Sequence, residues 1–410
     1  MSLIVQKYGG TSLADAERIQ SVAARVAARH HAGDRLLVVV SAMGDTTDRL
    51  QALAREISEH PEARELDLLF STGETVSMTL LAMALHALDV EAVSLSGAQA
   101  GLRTDTTHGR ARIVNVAPER IQQELERGRV VIVAGFQGIT EELDVTTLGR
   151  GGSDTTAVAL AAGLGAGRCE IYTDVDGVYT ADPRVEPKAR KLRDISYDEM
   201  LELAAVGAKV LHPRAVELGA VYGVELVVAS SFTEEPGTLI HGGVTMEQFN
   251  KVRGIAHDLD VAKVTVRAVP DQPGIAATIF EALAEHQISV DTIVQNASVE
   301  RLTDVTFTVA GDDLRRAAPI VEQVAKKIRA AEVVADEGLG KISIVGTGMQ
   351  TAPGYAARMF RALSDAGINI DMISTGEIRI TCIVHRSDVE KALRTLHKTF
   401  ELEKAAPGEL

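Results

Sequence analysis

The 410-residue sequence contains only two cysteines, Cys169 and Cys382, far apart and outside any C-x-x-C. That excludes a disulfide framework and a zinc-ribbon pattern, and it fits a reducing compartment. Basic residues are in deficit: 42 Lys and Arg stand against 57 Asp and Glu, a formal net charge of −15. So acidic a chain is not expected to bind nucleic acid or an anionic membrane. Local basic groups and backbone amides can still hold an anionic ligand. Met1 leads straight into an apolar strand without an export h-region, and no long uninterrupted apolar run stands out. The cytoplasm is therefore the expected location, without membrane insertion. Common signatures are missing as well. There is no G-x-x-x-x-G-K-[ST], no G-x-G-x-x-G opening a βαβ unit, no H-E-x-x-H, and no Ser-His-Asp series stands out. What remains, 46% apolar and 24% charged, is a globular chain long enough for two or three domains.

Strands and helices alternate through the first half. LIVQK, RLLVVVSAM, EAVSLS, RVVIVAGFQGI and CEIYTDV read as strands. LADAERIQSVAARVAARH carries Ile19, Val22, Ala23, Val26 and Ala27 at helical spacing, and TTDRLQALAREISEH, STGETVSMTLLAMALHALDV and TTAVALAAGLG also read as helices. Continuous β-branched runs between helices predict a mostly parallel sheet covered on both faces. Polar and glycine residues gather just after the strands, in KYGGTS, SAMGDTT, GFQG, GRGGSD and TDVDGVYTADPR. Ligands of open α/β sheets bind beyond the carboxyl ends of strands, so these loops are expected to form one site.

Within GRGGSD, Ser153 and Asp154 stand where the N-cap of the next helix is expected. Helix N-termini attract anions. Gly149, Gly151 and Gly152 permit close backbone approach. Arg150 adds a planar fork suited to carboxylate or phosphate. Lys7, beside Gly9 and Gly10, can neutralise a phosphate. The plain alternatives are a capped helix and a lysine before a turn.

Composition shifts near TEEPGTLIHGGVTMEQFNK (233–251), where the main boundary is expected. Beyond it lies an internal repeat. Segments starting at Lys263 and Lys341 match at Pro273/Pro353, Gly274/Gly354, Ala276/Ala356, Phe280/Phe360, Leu283/Leu363, Ile288/Ile368 and Asp291/Asp371. Each copy reads strand, Pro-Gly loop, helix, strand, strand, helix, a ferredoxin-like βαββαβ unit used twice. The two small sheets can pair side by side and bind a small ligand, or simply be a structural duplication.

KYGGTS, STGE, AGFQG, TTLGRGGSDTTAVALAAGLGA, YTDVDGVYTADPR and AAVGAKVLHPRAVE together resemble the aspartate kinase (aspartokinase) family of amino-acid kinases, along nearly the whole chain. The repeats resemble that family's ACT domains. The resemblance implies an α/β amino-acid kinase fold over 1–245, with a mostly parallel central sheet and helices on both faces. A linker over 246–262 would add a strand to the second ACT domain, with ACT domain 1 at 263–338 and ACT domain 2 at 339–410. It implies that ATP phosphorylates L-aspartate to 4-phospho-L-aspartate, the first step toward lysine, threonine and methionine, with Mg²⁺ arriving on ATP and no protein metal site. No fused homoserine dehydrogenase is expected after the second ACT unit. Glutamate or acetylglutamate kinases are the competing enzymes, and they should lack the tandem ACT repeat. An amino-acid sensor with an inactive kinase domain is the competing non-enzyme.

By the same resemblance, Lys7, Tyr8, Gly9 and Gly10 border the transferring phosphate, and Ser41 and Thr47 contact aspartate or phosphate. Glu74 holds the substrate ammonium and Arg150 clamps the α-carboxylate. Gly151, Gly152 and Ser153 offer amides, and Asp154 orients Lys7. Thr173, Asp174, Tyr179, Asp182, Arg184 and Lys209 surround the nucleotide, and His212 is structural. Asp271, Gly274, Ala276, Asp291 and Gln295 form the site for threonine, lysine or both. Gly376, where many relatives carry serine, puts lysine sensing in question. A homodimer, or an α2β2 assembly using an internal start at Met246, is expected.

Overall fold

The computed structural model describes residues 2–208, 210–243, 252–296, 301–349 and 353–404. The chain forms two compact units. Met1–Tyr179, Lys191–Ala205 and Lys209–Met246 make the first, and Thr180–Arg190, Val206–Ala208 and Glu247–Leu410 make the second.

The first unit contains β1 (Leu3–Tyr8), β2 (Arg35–Val40), β3 (Ala92–Leu95), β4 (Leu102–Thr104), β5 (Ile113–Val116), β6 (Val130–Ala134), β7 (Gln137–Ile139), β8 (Val145–Thr147), β9 (Arg168–Thr173), β10 (Asp194–Ser196), β11 (Glu225–Ser230) and β12 (Thr238–His241). Its helices are α1 (Ala16–His31), α2 (Thr46–Ile57), α3 (Ala63–His86), α4 (Glu119–Glu126), α5 (Gly152–Gly163), α6 (Tyr197–Ala205) and α7 (Pro213–Tyr222). Eight strands form the main sheet in the order β10-β12-β11-β9-β1-β2-β6-β3. Its pairings are parallel except β11 with β12. Leu36–Val40 and Val130–Ala134 are wholly buried, as strands covered on both faces must be. α1 buries Ile19, Val22, Ala23, Val26 and Ala27, the five positions its spacing singles out, against Leu81 and Leu85 of α3 and the sheet.

Three local readings differ from the sequence expectation. RVVIVAGFQGI is not one strand. β6 ends at Ala134, and β7 belongs to a separate four-stranded sheet, β5-β4-β7-β8. A Cβ on Gly135 would lie 2.8 Å from Ser153 and 2.9 Å from the Val40 carbonyl, and Phe136 follows with φ 68°. Close packing at Gly135 turns the chain out of the main sheet. Second, α3 begins at Ala63, two turns before the STGE motif. Third, the cap of α5 is Gly151, left-handed at φ 70°, which places Ser153 and Asp154 inside the first turn.

The second unit contains β13 (Gly254–Pro270), β14 (Ile293–Gln295), β15 (Leu302–Val309), β16 (Glu332–Val345), β17 (Met372–Thr375) and β18 (Arg379–His385), with α8 (Ile275–Glu285), α9 (Leu314–Ile328), α10 (Tyr355–Asp365) and α11 (Val389–Thr399). The strands form one antiparallel sheet, β14-β15-β13-β16-β18-β17. β13 and β16 each serve both repeats. Lys263–Arg267 pairs with Glu332–Asp336 in the first, and Gly254–Asp258 pairs with Lys341–Val345 in the second. The repeats are tied reciprocally. Lys263 forms an ion pair with Asp371, and Lys341 forms one with Asp291. The matched lysines and aspartates of the repeat thus exchange partners across a pseudo-twofold axis.

Candidate active site

Strand order builds the site. β9, β1, β2 and β6 are neighbours and parallel, so Thr173, Lys7, Ser41 and Gly135 line one edge of the sheet. The loops after these strands interlock. Gly44 N–H donates to the Gly10 carbonyl at 3.0 Å, and a Cβ on Gly10 would lie 2.8 Å from the Ala42 carbonyl. Only glycine allows the KYGGTS and SAMGD loops to approach so closely.

The centre is an ion pair. Lys7 Nζ lies 2.7 Å from Asp154 Oδ1, and both side chains are nearly buried. Asp154 occupies the first turn of α5, where a carboxylate is favoured by the helix dipole. The turn before it is tightly made. A Cβ on Gly151 would lie 2.3 Å from His212, and one on Gly152 would lie 2.8 Å from Phe136. His212 caps α7, with Nδ1 accepting the Arg214 N–H at 3.3 Å. Burial pushes its pKa down, against the pull of Asp154, with Arg214 and Arg150 adding to the depression. Burial thus favours the neutral His212 ring, and Arg150 is exposed on the turn beside it.

Glu74 reaches the same loops from α3. Its Oε1 accepts the Ala42 N–H at 3.1 Å, while Oε2 is buried with no hydrogen-bond partner among the described residues. Burial raises its pKa to about 7, and the Ala42 amide only partly opposes that. A buried carboxylate with one open oxygen is suited to a cation.

Other predicted positions are distributed as follows. Ser41 and Thr47 are half-buried, after β2 and in the first turn of α2. Tyr8 is fully buried and stacks on Tyr172 with ring centroids 4.9 Å apart, so it offers a ligand only backbone. Gly9 N–H is bonded to the Tyr172 carbonyl at 3.1 Å, and Gly152 N–H to the Gly149 carbonyl at 2.9 Å. These two glycines therefore contribute close approach rather than N–H donation. Thr173 Oγ donates to Asp174 at 3.1 Å. Tyr179 OH donates to Asp176 at 2.9 Å, and its pKa is pushed up to about 12 by burial and by that carboxylate. Asp182 and Arg184 belong to the second unit, where they pair with each other at 2.8 Å. There Thr180 meets His397 at 3.0 Å and Arg394 donates to the Val185 carbonyl at 2.9 Å. Lys209 and Met246 lie outside the described residues.

Sequence reasoning missed Asp67. It is fully buried on α3 and accepts from Gly109 N–H at 3.0 Å, from His108 Nδ1 at 2.8 Å and from Thr147. It ties α3 to β8, immediately before the glycine turn. Its signal was an acidic residue on the inward face of an apolar helix, a feature it shares with Glu74.

In the regulatory unit, Asp271, Gly274 and Ala276 gather on the turn opening α8, and Gln295 ends β14. Asp291, part-exposed before β14, is paired with Lys341.

Family comparison agrees with this layout. Residues 2–230 match the model of the amino acid kinase family, and residues 264–326 and 342–400 each match an ACT-domain model. An aspartokinase of Geobacillus stearothermophilus is 52% identical over 406 residues, covering 99% of both chains. The chain belongs to the aspartokinases of the amino acid kinase family. An aspartokinase of Bacillus sp. (strain MGA3) is 50% identical, again over 99% of both. Among solved aspartokinases, E. coli aspartokinase III with aspartate and ADP (R-state) matches with a TM-score of 0.83 at 28% identity, covering 97% of this chain and 99% of that one. The same enzyme with lysine and aspartate (T-state) matches at 0.76 and 29%. The ACT repeats thus belong to an aspartokinase, which sets aside the glutamate and acetylglutamate kinases.

Proposed function

We propose that the chain transfers the γ-phosphate of ATP to the side-chain carboxylate of L-aspartate, releasing ADP and 4-phospho-L-aspartate. The buried Lys7–Asp154 pair at the α5 N-terminus carries this reading. The nucleophile ionises near pKa 3.9 and needs no general base. The barrier is the approach of two anions, lowered by positioning and fixed positive charge. Lys7 supplies that charge at the transferring phosphate, and Asp154 holds it in place. Arg150 clamps the substrate α-carboxylate in a bidentate fork. Glu74 takes the substrate ammonium on its open Oε2. Ser41, Thr47 and Ser153 complete the polar wall, and Thr173, Asp174 and Tyr179 flank the nucleotide. Mg²⁺ would be held mainly by phosphate oxygens and water, where it neutralises the transferring group.

The turn bearing Asp271, Gly274 and Ala276, with Gln295, receives threonine, lysine or both as feedback effectors. The enzyme then opens a cytoplasmic route to those amino acids and to methionine. It works as a homodimer, or as α2β2 with a regulatory chain started at Met246. A blot with a C-terminal antibody showing only the full-length chain would remove the second form.

The test is to trap the acyl phosphate as its hydroxamate with Mg-ATP. Product with aspartate and none with glutamate supports the reading. No product, with threonine or lysine still binding to 252–410, would make the chain a sensor.

A further inference from the structure

α7 opens against its own dipole. It begins Pro213-Arg214, with no acidic residue in its first turn. A cation is disfavoured at a helix N-terminus, where the free N–H groups already carry positive charge. A guanidinium placed there serves something other than α7.

Its acceptors show what. Arg214 Nη1 donates to the Leu148 carbonyl at 2.7 Å, and Nη2 donates to the Ala111 carbonyl at 3.2 Å. The two carbonyls belong to different segments, the loop between β4 and β5 and the residue just after β8. Asp67 of α3 joins the same segments, accepting from the Gly109 N–H and from the Thr147 hydroxyl. Asp67 thus takes donors and Arg214 takes acceptors from one pair of segments. They also meet directly, the Ala111 N–H donating to the Thr147 carbonyl at 2.8 Å. The Leu148 N–H is held in turn by the Phe136 carbonyl at 2.8 Å. Both main-chain polar groups of Leu148 are therefore engaged, one residue before left-handed Gly149 (φ 76°) and two before Arg150.

Charge matters as much as shape. Both acceptors are neutral carbonyls, so the half-buried guanidinium is hydrogen-bonded without its charge being cancelled. Burial and neighbouring Arg112 pull its pKa down, with Asp105 and Glu217 opposing, and a guanidinium stays charged even so. A free carbonyl oxygen beside an anion site repels the ligand, whereas one bound to a cation does not.

We infer that Arg214 is a positioning residue for the acceptor substrate: its fork ties up the Leu148 and Ala111 carbonyls and so sets the Arg150 turn for an α-carboxylate. The inference rests on the proposed kinase reading, in which Arg150 is the carboxylate clamp. The role needs a fork. Lysine carries one compact ammonium and does not reproduce two fixed N–H directions toward two segments.

The test uses full-length wild type, Arg214→Ala and Arg214→Lys in the hydroxamate assay, varying aspartate and then Mg-ATP. Each chain is first checked for native circular dichroism. Arg214→Ala should raise the KM for aspartate at least about 30-fold and leave the KM for Mg-ATP within about threefold of wild type. Arg214→Lys keeps the charge and should still raise the aspartate KM about tenfold. Ethylguanidinium added to Arg214→Ala should lower the aspartate KM at least about fivefold, and ethylammonium at the same concentration should not. An aspartate KM unchanged in either folded variant would overturn the inference, as would equal rises for both substrates or equal rescue by the two cations. If Arg214→Ala does not fold, the aspartate KM of Arg214→Lys decides alone. A wild-type chain that forms no hydroxamate would instead remove the kinase reading, and this inference with it.

Discussion

Two helix starts in this molecule use the same device for different ends. α5 and α8 both follow a left-handed glycine, Gly151 at φ 70° and Gly274 at φ 92°, and α10 repeats it with Gly354 at φ 106°. At Gly151 a Cβ would also strike His212 at 2.3 Å, whereas at Gly274 and Gly354 it would meet nothing within 4 Å. The kinase turn is therefore fixed twice, by backbone and by packing. The ACT turns are fixed by backbone alone. The difference teaches that the α5 turn is prebuilt, as its proposed part in electrostatic catalysis requires, while the ACT turns keep room to adapt.

The sharpest way to break that contrast is Gly151→Ala. Displacing this turn by even an ångström should lower product formation at least about 100-fold, read as hydroxamate per minute. Glu74→Gln comes next and acts through pH. Folding raises the Glu74 pKa from 4.5 to about 7, so the folded state holds this proton more tightly. The stability tied to it is full below pH 4.5 and is lost as pH rises toward 7, on the order of 3 kcal/mol. Thermal melts of wild type should fall across that window, and those of Glu74→Gln should stay flat by comparison.

The repeats offer a finer test. Asp291→Asn strands Lys341, whose side chain is 6% exposed, and should cost about 1–2 kcal/mol in denaturant unfolding. Asp371→Asn strands the more exposed Lys263 and should cost under about 1 kcal/mol. Equal losses would show that the pseudo-twofold pairs are energetically alike. Smallest for catalysis is Gly354→Ala, which costs about 1 kcal/mol of stability from left-handed strain alone and leaves turnover within about threefold of wild type.

Much of this was legible because it rests on local pattern. Runs such as RLLVVV announce buried parallel strands, and the matched Pro-Gly turns announce the repeat. The glycine loops after the strands located the site, since strand ends converge in any open α/β sheet. What escaped depended on packing between distant segments. The break at Gly135 and Phe136 arises from Val40 and Ser153, neither adjacent in sequence. Ser153 and Asp154 looked like caps because Gly151 needs a left-handed φ that sequence does not display. The partners of the Asp67 and Asp291 side chains lie at least 41 residues away.

The most direct test compares Gly151→Ala and Gly354→Ala with wild type in the hydroxamate assay, under Mg-ATP and aspartate. The account predicts almost no product from the first and near-normal product from the second. Near-normal turnover by Gly151→Ala, or collapse of turnover in Gly354→Ala, would contradict a prebuilt α5 turn set against adaptable ACT turns.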